Sequence, residues 1–187
     1  SAPRTARISV VSEVVDAPVK RGAGGTRSKA RKRALDILFE SDLRGDDALA
    51  TLAERVELAE PPVREFTRHL VEGVCAERDQ IDGVIAASLT GKWTLDRMPC
   101  IDRNLARIAI FEMWFTELAP EIAVSQAVDL GASLSTDESA DFLNGLLGKA
   151  LRTLRETYPK AARGEADDAA EPGDDDTDDP EDDPAGD

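Results

Sequence analysis

Apolar residues recur at helical spacing through the middle of this 187-residue chain and are sparse near its C-terminal end. In the first such segment Ala34, Ile37, Leu38 and Ser41 occupy positions i, i+3, i+4 and i+7, which lie on one face of a helix. This spacing predicts a helix over about residues 28–44, with a glycine after it as a stop signal. Alternating apolar and polar stretches, the signal for strands, are scarce. The pattern therefore predicts an all-α protein.

Six further helices are predicted from the same periodicity and from the proline, glycine and N-capping residues between segments. They cover about residues 47–59, a segment after Pro62, residues 79–89, residues 99–116, a segment from Pro120, and a segment that follows "STDES" and stops before Pro159. The segment 99–116 is apolar over most of its circumference, which indicates a central, mostly buried helix. We expect about seven helices in one compact domain.

The two ends of the chain differ from this helical body. Residues 1–26 lack sustained periodicity and are interpreted as a flexible basic arm. Residues 159–187 carry almost no large apolar side chain, so we expect a disordered acidic tail. Thirteen acids lie within residues 165–187, and without them the net charge of the chain changes from −15 to −2. The body between, residues 27–158, is near neutral and is interpreted as the folded domain.

Positive charge is concentrated at the predicted start of the first helix. Between Val19 and Leu35 there is no acid, but there are seven bases: Lys20, Arg21, Arg27, Lys29, Arg31, Lys32 and Arg33. Basic side chains at a helix N-terminus are disfavoured by the helix dipole, and an anionic ligand would offset that cost. Arginine can neutralise phosphates and stack on unpaired bases, which favours a nucleic acid. Charge alone does not separate RNA from DNA or lipid, nor exclude a basic arm that only aids solubility.

Catalytic and metal-binding patterns are absent from the sequence. The chain has one histidine, His69, and two cysteines, Cys75 and Cys100, whose separation does not suit a zinc site. We expect reduced thiols in a cytoplasmic protein that has no cofactor and is not an enzyme. Glu112 lies inside an apolar run, which predicts a buried carboxylate with a hydrogen-bond or cationic partner. No apolar run is long enough to span a membrane.

Four segments together resemble the successive signature segments of the bacterial NusB family. They are "ARKRALDILFE" (30–40), "IDRNLARIAIFEM" (101–113), "IAVSQAVDLGASLST" (122–136) and "DFLNGLLGKAL" (141–151), in matching order and spacing. The resemblance implies a seven-helix fold in two subbundles and a transcription antitermination factor without catalytic activity. Such factors bind the single-stranded boxA element of nascent ribosomal RNA together with NusE, a small-subunit ribosomal protein. They join the elongating RNA polymerase with other Nus factors and help it pass terminators.

The resemblance also implies roles for particular residues. The RNA-binding set is Arg27, Lys29, Arg31, Lys32, Arg33 and Phe142. The set that contacts NusE is Phe39, Asp102 and Glu138. For two of these residues a structural alternative stays open: Phe142 could pack in the core, and Asp102 could simply favour a helix N-terminus.

The chain departs from the family pattern at two places. Gln126 stands where an acid is usual, and Gly131-Ala132 replaces Ala-Lys, so any family ion pair that uses the missing groups is in doubt. Gly131 is expected to weaken its helix by about 1 kcal/mol relative to alanine. Alternative interpretations are an RNA-binding domain from an RNA cytosine methyltransferase, a homodimer that covers its RNA face, and, less well supported, a DNA-binding regulator. The acidic tail could compete with RNA for the basic helix start, or serve solubility only.

Overall fold

A computed structural model describes residues 23–58 and 62–157, so the predicted arm before residue 23 and the acidic tail lie outside the described residues. The described part is helical and contains no strand. Its seven α-helices, which confirm the predicted fold class, are α1 (Ala23–Arg44), α2 (Ala48–Leu58), α3 (Glu65–Ala76), α4 (Arg78–Ser88), α5 (Cys100–Phe115), α6 (Pro120–Leu134) and α7 (Asp137–Thr157). A short 3₁₀ turn, Leu95–Arg97, precedes α5.

Helix α1 contains the predicted apolar face but begins earlier than predicted. Its residues Ala34, Ile37, Leu38 and Ser41 are all buried, as their spacing indicated. It starts at Ala23, so residues 23–26, which the sequence assigned to the arm, are helical. At the other end Gly45 has a φ of +70°, and the next backbone N–H bonds back to the carbonyl of Ser41 at 3.0 Å. A left-handed glycine of this kind ends the helix as predicted.

The helices form two subbundles that share α5. Helices α1, α2 and α3 contact one another, and α4, α5, α6 and α7 form the second group. Helix α5 also contacts α1 and α3, and every residue from Asn104 to Trp114 is buried. The prediction of a central helix, apolar around most of its circumference, is therefore confirmed. Pro99, expected as the first helical residue, instead directly precedes the helix.

Helix α2 is less buried than its pattern indicated. Leu52 is buried, but Leu49 and Val56, which share a helix face with it by their spacing, are 44% and 38% exposed. The helix packs chiefly against α1 and α3, and its buried residues are Ala48, Thr51 and Leu52. A helix at the edge of a bundle covers a narrow stripe of its surface, so apolar residues beside that stripe stay exposed to solvent.

Two glycines allow helices to approach closely. A Cβ atom on Gly73 of α3 would lie 2.0 Å from the ring of Phe111 on α5. A Cβ atom on Gly131 of α6 would lie 2.7 Å from Cδ1 of Leu143 on α7. Close packing against Leu143 thus explains why a glycine occupies position 131, although glycine is a poor helix former.

Within residues 23–58 and 62–157, no helix is both long enough and apolar enough to cross a bilayer.

Candidate nucleic-acid and partner interface

Three basic side chains form one exposed face at the start of α1. Lys29, Lys32 and Arg33 are related by i, i+3 and i+4 spacing, so they are neighbours on the helix surface. Lys29 and Lys32 are exposed, and Arg33 is half-buried. Asp36 lies 3.7 Å from the Lys32 ammonium, and both side chains are about half exposed. Because an exposed pair of this kind is weak, Lys32 stays available to an anion. We call Lys29, Lys32 and Arg33 the cationic face.

Arg31 lies on a different side of α1, and its guanidinium is buried. Its Nε donates to Oε2 of Glu112 at 2.9 Å and its Nη2 donates to Oε1 at 2.8 Å, in a two-pronged ion pair between α1 and α5. Its Nη1 donates to Oε1 of Gln126 on α6 at 3.3 Å. The prediction that Glu112 has a partner is confirmed. The predicted RNA contact of Arg31 does not agree with this placement, because a side chain that is 4% exposed presents almost no surface to a phosphate.

Phe66 of α3 lies under two arginines of α1. The Cζ atoms of Arg27 and Arg31 are 5.1 and 5.4 Å from its ring centroid. Beside it, Oγ1 of Thr67 donates to the backbone carbonyl of Ala30 at 3.1 Å. Cation–π contacts at such distances stabilise by about 0.5–1 kcal/mol at exposed sites. The start of α1 is thus held on α3, while Arg27 itself remains exposed.

Asp42 joins the C-terminal half of α1 to the start of α5. Its Oδ2 accepts hydrogen bonds from Asn104 at 3.0 Å and from Arg103 at 3.1 Å. Burial raises the pKa of Asp42, but these bonds and the charge of Arg107 outweigh burial and leave the pKa below its usual value. Phe39, a predicted partner residue, is half-buried one turn before Asp42. It therefore lies close to the junction between α1 and α5.

Asp102, in the first turn of α5, contacts the start of α7. Its Oδ2 accepts a hydrogen bond from Oγ of Ser139 at 3.1 Å, and its Oδ1 has no hydrogen-bond partner among the described residues. Burial raises the pKa of Asp102, and the bond from Ser139 opposes that rise only in part. Because Asp102 is 2% exposed, a direct contact with a partner does not fit its placement. The structure instead gives Asp102 the role of holding the start of α7.

Glu138 lies at the capped start of α7. The backbone N–H of Ser139 donates to Oγ1 of Thr136 at 3.2 Å, which is the N-capping interaction predicted from "STDES". Glu138 is exposed in the first turn, where its negative charge complements the helix dipole. This predicted partner residue is therefore accessible, and it directly precedes Ser139, which makes the buried contact with Asp102.

Phe142 lies at the border between core and surface. It is half-buried against the core, and its ring centroid is 5.4 Å from that of Trp93. One side of Phe142 therefore packs on the core, and the rest of its ring lies at the surface beside Trp93. Trp93, in the loop between α4 and α5, is 47% exposed and is not among the predicted site residues. A tryptophan in an otherwise polar loop was the signal that could have found this pair, since exposed aromatic rings can stack on unpaired bases.

The cysteines and the acidic side chains of the described residues are the groups that a metal site would require. Cys75 and Cys100 are free and half-buried. Within the described residues, no group of three or more histidine, cysteine, aspartate or glutamate side chains is placed to hold a metal ion. The described surface thus carries basic side chains and aromatic rings, the groups with which proteins bind phosphates and unpaired bases. These features define the class as an all-helical binding module.

Comparison with known proteins identifies the family. Residues 28–152 match the model of the NusB family, and the chain belongs to that family. The transcription antitermination protein NusB of Salinispora tropica is 52% identical over 127 residues, which cover 66% of this chain and 93% of the relative. The protein of the same name from Streptomyces avermitilis is 44% identical over 146 residues, or 75% of this chain and 98% of the relative.

Solved structures show the same fold. A Thermotoga maritima NusB structure has a TM-score of 0.59 at 27% identity and covers 66% of this chain and 89% of its own. A crystal structure of antitermination factors NusB and NusE in complex with double-stranded RNA has a TM-score of 0.61 at 26% identity and covers 70% of this chain and 98% of the matched one. NusB relatives thus occur in complexes with NusE and RNA.

Proposed function

We propose that the protein is a cytoplasmic transcription antitermination factor that binds boxA-type single-stranded RNA of nascent ribosomal RNA together with NusE. In the elongation complex, with other Nus factors, it helps RNA polymerase to pass terminators. The cationic face carries this proposal. In a chain of net charge −15, three basic side chains share one exposed face at a helix start. Like charges that neighbour one another on a helix repel, and a bound polyanion would offset that repulsion.

The proposed RNA contacts lie in two groups. Arg27 and the cationic face bind phosphates, and Phe142 with Trp93 stacks on an unpaired base. Helix α5 sets the distance between the two groups. The start of α1 is held at Glu112 through Arg31, and the start of α7, which carries Phe142, is held at Asp102 through Ser139. Ten residues of helix rise about 15 Å, which corresponds to roughly four nucleotides of a stacked strand. One short RNA segment can therefore reach both groups.

The proposed NusE surface lies where α1, α5 and α7 meet. Phe39 and Glu138 supply its accessible groups, and Asp102 positions the start of α7 through Ser139. We expect Phe39→Ala and Glu138→Gln to weaken binding of purified NusE, and Phe39→Ala to leave RNA binding without NusE unchanged. Leu58→Ala, at a residue that is 77% exposed at the end of α2, is the matched control and is expected to have no effect.

The testing experiment is a titration of a short, labelled boxA-type RNA against the protein across salt concentrations, with and without NusE. For single strands, log affinity falls with log salt by about 0.7 per phosphate neutralised. We therefore expect Lys29→Ala, Lys32→Ala and Arg33→Ala each to reduce the slope by about that amount. Arg44→Ala removes the same charge about 16 Å from Arg33 along the same helix and is expected to leave the slope unchanged.

The same titration distinguishes the alternatives. Tighter binding with NusE that depends on RNA sequence supports the proposal. Binding that ignores both RNA sequence and NusE contradicts it and leaves a basic helix start without a specific partner. If light scattering shows a dimer that must dissociate before RNA binds, the homodimer with a covered RNA face replaces the present proposal.

A further inference from the structure

We propose that Arg31 is a positioning residue of the RNA surface and does not itself contact RNA. Of the four basic residues around it, Arg27, Lys29 and Lys32 are exposed and Arg33 is half-buried, yet the guanidinium of Arg31 is turned into the protein. Held by Glu112 and Gln126, it fixes the first turns of α1 so that the cationic face has a defined direction. This inference rests on the proposed function, since it assigns a role within the same RNA site.

The start of α1 needs an external anchor because its own sequence does not favour a helix. The helix begins "AGGT", two glycines and a threonine with poor helix propensity, and has no acid in its first turn. The basic residues that follow repel one another. Tertiary contacts must therefore hold these turns. The long-range contacts described for this segment are those of Arg31, of Arg27 with Phe66, and of Ala30 with Thr67.

Arg31 contacts three other helices at once. Its ion pair reaches α5, its hydrogen bond to Gln126 reaches α6, and its guanidinium lies 5.4 Å from the ring centroid of Phe66 on α3. A two-pronged arginine–carboxylate pair fixes orientation as well as distance. A buried pair contributes little net stability because both charges lose their hydration. Its effect is therefore on the direction of the helix start.

The positive charge of Arg31 is also already paired inside the protein and is not available to a phosphate. Glu112 neutralises the guanidinium, and Gln126 contributes an uncharged carbonyl oxygen. Both partners are on helices other than α1, so Arg31 can reach RNA only by breaking contacts to α5 and α6. Lys29 and Lys32 have no such restraint, since the ion pair described for Lys32 is exposed and lies within α1.

Glu112→Gln separates a positioning role from a contact role. If Arg31 positions the helix, the loosened α1 start is competent for only part of the time, and apparent affinity falls in proportion to that fraction. We expect about tenfold weaker binding of labelled boxA-type RNA, with the salt slope unchanged. If Arg31 instead contacts RNA, freeing it from Glu112 adds a cation, so affinity and slope both rise. That result would overturn the proposal.

Asp36→Asn is the matched control. It removes one negative charge close to the same helix start but leaves Arg31 and its partners intact. We expect it to strengthen RNA binding slightly, because it releases Lys32 from its pair. Opposite effects from two substitutions with the same change of charge support the proposal, and equal effects contradict it.

Arg31→Lys is a second, independent variant that retains the positive charge and Glu112. A lysine cannot make the two-pronged pair and also reach Gln126. The proposal therefore predicts weaker RNA binding at an unchanged salt slope. Near-normal affinity would contradict it, because lysine is a competent phosphate ligand.

Hydrogen exchange of the free protein distinguishes failure of this inference from failure of the proposed function. Backbone amides of residues 27–33 are expected to exchange faster in Glu112→Gln and in Arg31→Lys than in the wild type, with α7 unchanged. If exchange is unaffected, the positioning role is wrong whether or not RNA binds. If exchange increases but neither the variants nor the wild type bind RNA, Arg31 does fix the start of α1 and the proposed function is wrong.

Discussion

Replacing Gly131 by alanine tests whether packing or helix propensity governs the contact between α6 and α7. Propensity alone predicts stabilisation by about 0.8–1 kcal/mol. The new Cβ, however, would lie 2.7 Å from Cδ1 of Leu143, which is fully buried and cannot move toward solvent. Overpacking of this kind costs about 1–3 kcal/mol. We therefore expect a net loss of about 1 kcal/mol in the free energy of unfolding.

Gly83→Ala is the matched control for that substitution. Gly83 lies within α4, and an added Cβ would meet no atom within 4 Å. We expect this variant to be stabilised by about 0.5–1 kcal/mol. Urea unfolding followed by circular dichroism measures both variants, and an unchanged denaturant slope shows that the comparison is valid. If Gly131→Ala is stabilised as much as Gly83→Ala, the packing argument is wrong.

Four further predictions follow from the described contacts. Gly73→Ala is expected to destabilise more than Gly131→Ala in the same urea assay, because its Cβ would lie 2.0 Å from the ring of Phe111. Asp102→Asn is expected to raise the melting temperature at pH 7, because burial raises the pKa of Asp102 and so disfavours its charged form in the folded protein. This gain should shrink as the pH falls toward 3.8, the ordinary pKa of an aspartate, because the wild-type carboxyl then becomes protonated. For Asp42 the pH dependence is opposite, because its lowered pKa stabilises the folded protein above pH 3.8. This stabilisation should be lost as the pH falls below that value. The melting temperature of Asp42→Asn should therefore fall less with acid than that of the wild type. Truncation after Arg163 removes thirteen acids, and if the tail competes with RNA it should tighten RNA binding at low salt and have little effect at high salt.

The sequence predicted the helical architecture because the apolar spacing is regular where helices pack on both sides. Helix α5 and the face of α1 from Ala34 to Ser41 are examples, and both are buried as expected. Helix α2 was predicted less well, because spacing shows which residues share a face but not how much of that face is covered. Leu49 and Val56 carry the same pattern as core residues and remain exposed.

The candidate site was predictable by segment but not by side-chain direction. Five basic residues marked the start of α1, yet their spacing could not show that Arg31 alone has Glu112 within reach, 81 positions later in the chain. Likewise, Asp102 could be placed at a helix start, while its contact with Ser139 depends on how α7 packs. Long-range partners of this kind are set by tertiary packing, which one sequence does not display.

The central position of α5 has a consequence for how the protein can be divided. A chain cut at the exposed turn of Gly91 would leave α1–α4 in one fragment and α5–α7 in the other. The first fragment would expose apolar surface that α5 covers in the intact protein, and the second would expose the side of α5 that packs on α1, α3 and α4. Neither fragment is therefore expected to fold alone. Mixed together, the fragments should assemble, and the assembled pair would join Arg31 from one piece to Glu112 from the other. Recovery of RNA binding would then report fragment association, which makes the protein suited to complementation assays.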